Sequence, residues 1–134
     1  MTRYLLDTAI LVYLLQTRPL PAQVAALLQN DTGPIFYSPV NVAEVGIKFA
    51  KQQLPLPAQV GADLLLAVRQ IATRAGLIQL PLAEEHAVRL ATLPRIHNDP
   101  FDRLLIAQAV VEDLMLVSSD GVLPRYPGLK LFRF

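Results

Sequence analysis

The sequence predicts an α/β fold, a three-layer α/β/α sandwich with a mostly parallel central sheet. Short apolar runs alternate with longer segments of helical spacing, the pattern of strands joined by crossover helices. The runs Tyr4-Leu5-Leu6, Ile35-Phe36-Tyr37 and Met115-Leu116-Val117 are apolar throughout, as in strands buried on both faces. Charged residues make up only 17% of the chain and hydrophobic ones 53%, against roughly 25% charged in an ordinary soluble domain. A doubly covered sheet accounts for that balance, and so does an apolar surface kept for a partner.

Taken in order, Tyr4–Leu6 is the first strand, ending at Asp7, and Thr8–Gln16 continues at helical spacing. Pro19 and Pro21 break the chain before a short helix over Ala22–Gln29. The cluster Asn30-Asp31-Thr32-Gly33-Pro34 reads as a turn. Ile35–Tyr37 is the second strand. Ser38 then caps a helix with Pro39 at its first position, running to about Gln53. Pro55 and Pro57 bracket a turn, and one long helix is expected over Ala58–Arg74, with Gly76 as its C-cap. Leu77–Leu80 is a third strand and Ala83–Thr92 a helix. A helix over Asp99–Asp113 leads into the Met115–Val117 strand, and Leu129–Phe132 reads as a marginal last strand.

At 134 residues without linkers or repeats, residues 1–134 are expected to form a single domain. Twelve basic and eleven acidic residues leave a net charge of +1, so overall charge does not point to nucleic acid. The absence of Cys excludes a disulfide framework and a zinc–thiolate site. Arg3 followed by leucines faintly imitates a signal peptide, but Asp7 interrupts the apolar stretch and no small-residue cleavage site follows. No apolar run approaches the ~18 residues of a membrane span. The expectation is a soluble, cytoplasmic protein with no membrane partner.

The most informative segment is His97-Asn-Asp-Pro-Phe-Asp-Arg103 and the apolar helix that follows it. Asp99 reads as N-cap, Pro100 as the first helical residue, and Asp102 falls on the same side of the first turn. Two acids there either cap the helix or help hold a divalent cation. The rest of the chain favours the cation. Asp7 follows the first strand, Asp120 closely follows the Met115–Val117 strand, and a parallel sheet brings both to one edge, where ligands bind. The helix entering the Met115–Val117 strand begins at that edge, as does the helix opened by Ser38, which carries Glu44. Asp7, Glu44, Asp102 and Asp120 therefore converge, with Asp99 beside them.

Each acid has a plainer role. Asp7 could cap its helix, Asp102 could dress another, and Asp120-Gly121 could be an ordinary turn. Glu44 could form a surface pair with Lys48, worth ~0.2–0.5 kcal/mol. All of these holding at once, at one end of one sheet, is a poorer account than a shared site. Clustered carboxylates repel and raise one another's pKa unless a cation joins them. All-oxygen ligands without Cys suit Mg²⁺ or Mn²⁺, and the matching chemistry is phosphodiester hydrolysis of RNA or DNA.

At this point the chain resembles a known family. Leu5-Leu6-Asp7-Thr8, Asn41-Val42-Ala43-Glu44-Val45, Asp99-Pro100-Phe101-Asp102-Arg103 with Leu104–Ala109, and Leu116-Val117-Ser118-Ser119-Asp120 look like PIN domains. They are most similar to the VapC-type toxin ribonucleases of bacterial toxin–antitoxin pairs. The resemblance spans nearly the full chain and implies a PIN-like fold and an endoribonuclease. By resemblance, Asp7, Glu44, Asp102 and Asp120 correspond to an acidic quartet binding Mg²⁺ or Mn²⁺, with Asp99 as an additional acid. Ser118 stands where relatives commonly carry Thr. The resemblance further implies an RNA substrate, a homodimer and a cognate antitoxin.

His97 and Arg103 are candidates for substrate contact, though packing or capping serves His97 as well and Arg103 could equally neutralise the acids. Tyr13 and Tyr126 read as packing residues, although such rings can stack on bases. The competing functions are a catalytically silent PIN-like RNA-binding or scaffold module, and a phosphoryl-accepting receiver domain. The receiver would need paired acids after the first strand, where Leu5-Leu6-Asp7 offers one. Ala9 likewise excludes an Asp-x-Asp phosphatase.

Overall fold

Strands β1 (Tyr4–Leu6), β2 (Ile35–Tyr37), β3 (Leu77–Gln79), β4 (Met115–Ser118) and β5 (Lys130–Arg133) pair in the order β3-β2-β1-β4-β5. Every pairing is parallel. The structure is a computed structural model that describes residues 1–30 and 33–134; Asp31 and Thr32 of the expected turn lie outside the described residues. The helices are α1 (Thr8–Leu15), α2 (Ala22–Gln29), α3 (Pro39–Ala50), α4 (Ala58–Ala62), α5 (Leu64–Ala75), α6 (Glu84–Arg89) and α7 (Pro100–Glu112).

Period-two alternation divides the strand residues between two cores. Tyr4, Leu6, Ile35, Tyr37 and Val117 face one core, built with Ile10, Leu11 and Leu15 of α1, Val24 and Leu27 of α2, and Val68 of α5. Leu5 and Leu116 face the other, against Leu105, Ile106 and Ala109 of α7. Both faces of the sheet are covered, which gives the three layers and explains why the central strands are apolar without a break. Order runs outward from β1 through β2 to β3, and from β4 to β5 on the other side. The reversal falls between β1 and β4, where a crevice opens beyond the strand ends.

Several boundaries differ from the sequence expectation. The long helix over Ala58–Arg74 is broken at Asp63, whose backbone leaves the helical region (φ −145°, ψ 82°) and whose Oδ1 accepts the Leu66 N–H at 3.1 Å to start α5. At the end of α4, Gly61 lies against Phe49 so closely that a Cβ would stand 2.5 Å from the ring. Helix α3 stops at Ala50 rather than near Gln53, because Gln52 turns to φ 58°. Helix α6 covers only Glu84–Arg89, and the chain tightens into i→i+3 bonds from Ala91 N–H to Val88 and Thr92 N–H to Arg89. Strand β5 is shifted by one residue to Lys130–Arg133 and pairs with the whole of β4. Gly76 caps α5 in the left-handed region (φ 68°), as expected.

Candidate active site

Asp7 leaves β1 and becomes the N-cap of α1, its Oδ1 accepting the Ile10 N–H at 3.4 Å. Its own N–H donates to the Val117 carbonyl at 3.1 Å, tying it to the end of β4. Ser118, buried at that end, accepts the Asp120 N–H at 3.1 Å and lies close enough to the Asp7 carboxyl to favour its charged form. Burial pushes the Asp7 carboxyl up to about 6; Ser118 opposes that rise and the charge of Glu44 adds to it.

Glu44 reaches the crevice because the start of α3 is fixed in two directions. Ser38 and Asn41 form a reciprocal cap: the Ser38 N–H donates to Asn41 Oδ1 at 2.7 Å, and Ser38 Oγ accepts the Val40 N–H at 3.0 Å. Asn41 Nδ2 then donates to the Leu6 carbonyl at 3.2 Å and to Thr8 Oγ1 at 3.1 Å, so the fully buried amide joins α3 to the end of β1. One turn later Glu44 is only 5% exposed. Its Oε2 accepts from Lys48 Nζ at 2.6 Å, while its Oε1 is buried with no hydrogen-bond partner among the described residues. The pair with Lys48 and the place in the crevice are therefore both real. Lys48 itself lines the crevice, and its pKa is held above the ordinary lysine value chiefly by that hydrogen bond.

Asp99 Oδ1 accepts the N–H groups of Phe101 at 2.8 Å and Asp102 at 3.4 Å, which starts α7. Asp102 turns into the crevice, and burial followed by the neighbouring charge of Asp99 raises its pKa to about 6. His97 closes the site. Its Nδ1 accepts the Asp99 N–H at 3.1 Å, so its hydrogen-bond partners assign the neutral ring's proton to Nε2. That nitrogen lies 2.8 Å from Asp120 Oδ2 and 3.1 Å from Asp102 Oδ2. The three side chains bring ligand atoms within 4.8 Å of one another. A cation at Nε2 would need the proton moved to Nδ1, where the Asp99 N–H already points, so His97 suits a donor to the acids better than a ligand. Burial would raise Asp120, but the Val122 N–H and His97 hold its carboxyl below the ordinary value.

The crevice has a volume of about 510 Å³, and Asp7, Glu44, Asp102, Asp120 and Ser118 all line it. Asp99 is engaged as the α7 cap beside it, and His97 stands behind Asp102 and Asp120. Arg103 does not join them: its guanidinium donates to the carbonyls of Pro94 at 2.8 Å and Leu90 at 3.3 Å. Three contributors were not singled out from sequence. Asn41 was legible in the Ser-x-x-Asn spacing of a cap. Lys48 was read only as a surface partner, and Arg18, which also lines the crevice, carried no signal. A hard divalent cation fits this donor set, since the ligand atoms on offer are carboxylate oxygens and the buried Glu44 Oε1 has no partner among the described residues.

The PIN domain family model matches residues 4–129, and the chain belongs to that family. The acidic crevice lies at the strand-order reversal of a PIN fold. Among solved structures, it is similar to VapBC2 of Rickettsia felis bound to a promoter DNA fragment (18% identity, 99% of each chain covered, TM-score 0.76). FitAcB of Neisseria gonorrhoeae is 26% identical, with 97% of this chain and 96% of that one covered and a TM-score of 0.67. A toxin–antitoxin complex of Klebsiella pneumoniae is 17% identical over 98% of this chain and 99% of that one, with a TM-score of 0.63. No curated protein matches the sequence. Among the described residues no helix is long and apolar enough to cross a membrane.

Proposed function

We propose that this PIN-domain protein is a Mg²⁺- or Mn²⁺-dependent endoribonuclease and the toxin of a toxin–antitoxin pair. The observation that carries the reading is the gathering of Asp7, Glu44, Asp102 and Asp120 around one crevice, with a buried Glu44 oxygen that has no partner among the described residues. The similar solved structures, among them VapBC2 and a toxin–antitoxin complex, support the toxin role and an antitoxin partner; work in the cytoplasm is part of the same proposal. The proposal also includes a homodimer, and it takes residues 1–134 as one domain.

In this reading the four carboxylates hold the cation or its waters, and Asp99 adds negative charge beside Asp102. The cation, when bound, supplies an electrophile for the phosphoryl oxygen and lowers the pKa of the attacking water. Ser118 anchors Asp120 and favours the charged form of Asp7, and His97 orients Asp102 and Asp120. Lys48 balances the charge of Glu44. Arg103 braces the 90–94 loop from which His97 follows, so its contribution is to position the site.

The test is Mn²⁺-dependent cleavage of RNA by purified protein, run beside Asp7→Asn prepared identically. Cleavage by the wild type, lost in EDTA and in Asp7→Asn, is expected; induced expression should then arrest growth only with the wild type. Equal cleavage by both proteins overturns the metal-site assignment.

A further inference from the structure

A crevice walled by carboxylates repels a polyanion, so a strand entering it needs a cation at the entrance. Two cationic side chains line the crevice, Lys48 and Arg18. Lys48 is committed to Glu44 at 2.6 Å, whereas Arg18 has no carboxylate partner among the described residues. Arg18 is exposed, yet its guanidinium is not loose. It lies over the ring of Tyr13, 4.6 Å from the centroid, and donates to Gln16 Oε1 at 3.2 Å. Gln16 is in turn anchored by its Nε2, which donates to the Pro55 carbonyl at 2.8 Å. A planar cation is thereby held over an aromatic ring, exposed, at the rim of the crevice. Tyr126, the other tyrosine weighed for stacking, is buried, and its phenol oxygen accepts the His97 N–H at 2.9 Å. Only Tyr13 of the two is placed to meet a ligand.

We propose that Arg18, held over the Tyr13 ring at the rim of the acidic crevice, is the docking platform for single-stranded RNA. Its outer face stacks a base, and its N–H edge takes the adjoining phosphate. Base stacking on aromatic and guanidinium planes is how proteins hold unpaired strands. Tyr13 acts as a positioning residue, since the guanidinium rests over its ring. The proposal rests on the ribonuclease reading.

Binding of a fluorescein-labelled single-stranded RNA is measured by anisotropy in the Asp7→Asn background, against the same strand with abasic residues. The Asp7→Asn protein should prefer the base-bearing strand by at least about fivefold. Arg18→Lys should keep the salt dependence and lose the preference, because an ammonium pairs with phosphate but offers no plane. Arg18→Ala should lose both, with the salt slope falling by about 0.7 for one phosphate contact. Tyr13→Leu should lower the preference and Tyr13→Phe retain it, each checked for an unchanged melting temperature. Arg18 variants that match the parent on both strands, while the wild type still cuts RNA, overturn the platform alone. A protein that neither binds nor cuts RNA overturns the ribonuclease reading and the platform together.

Discussion

Glu44 and Lys48 form one salt bridge whose two ends have unlike surroundings. The Glu44 side chain is 6% exposed and that of Lys48 46%, so removing either partner does a different thing. On the proposed metal-site reading, Glu44→Gln removes an acceptor for the cation without leaving a buried charge, and activity should fall at least ~10-fold while the fold is kept. Lys48→Met strands a buried carboxylate and should cost about 1–3 kcal/mol in metal-free buffer. Because a divalent cation can replace the missing ammonium, Mn²⁺ should raise the melting temperature of Lys48→Met more than that of the wild type. Thermal scans with and without Mn²⁺ check this; identical shifts would mean that the ammonium and the cation do not share a position. Lys48 is thus no neutral control for Glu44, which the i,i+4 spacing alone suggests.

At the scale of elements, the entry to α3 decides where Glu44 lies. Asn41→Ala leaves the Ser38 N–H and the Leu6 and Thr8 acceptors without their amide, so a loss of about 2 kcal/mol is expected in urea unfolding. Activity should drop as well, since the first turn is then free to shift by more than catalysis tolerates. A variant as stable as the wild type would show that Pro39 and Ser38 suffice to fix the helix. This cap was legible in the sequence, as were β1, β2, β4 and the start of α7, because apolar blocks and cap residues mark them locally. The break between α4 and α5 was not, since helical spacing runs through it unbroken. It is set by Asp63 turning out of the helix to cap α5, beside a Gly61 that fits against the distant Phe49. The pairing of β5 with β4 is likewise a tertiary matter. Within the site, acids at strand ends could be placed from topology. Arg103 could not, because its direction depends on where the loop carrying the Leu90 and Pro94 carbonyls returns.

For the whole molecule, a net charge of +1 hides a concentrated negative site, and that concentration sets how stability depends on pH. In the folded protein Asp7 and Asp102 hold their protons up to about 6, against 3.8 for the free side chain. The folded state therefore binds more protons than the unfolded state across that window, and metal-free stability falls as pH rises through it. The contribution is complete below the unfolded value and gone above the folded one. For Asp7 it is on the order of 3 kcal/mol. Urea unfolding in EDTA should show the protein more stable at pH 5 than at pH 7.5, and Asp7→Asn should remove about half of that difference. Mg²⁺ or Mn²⁺ acts in the opposite sense. A ligand bound only by the folded state stabilises it by mass action, and protons compete for the same carboxylates. The rise in melting temperature with Mn²⁺ should be larger at pH 7.5 than at pH 5.5 and should shrink in Asp7→Ala. A shift that is independent of pH, or equal in Asp7→Ala, would place the ion away from these acids.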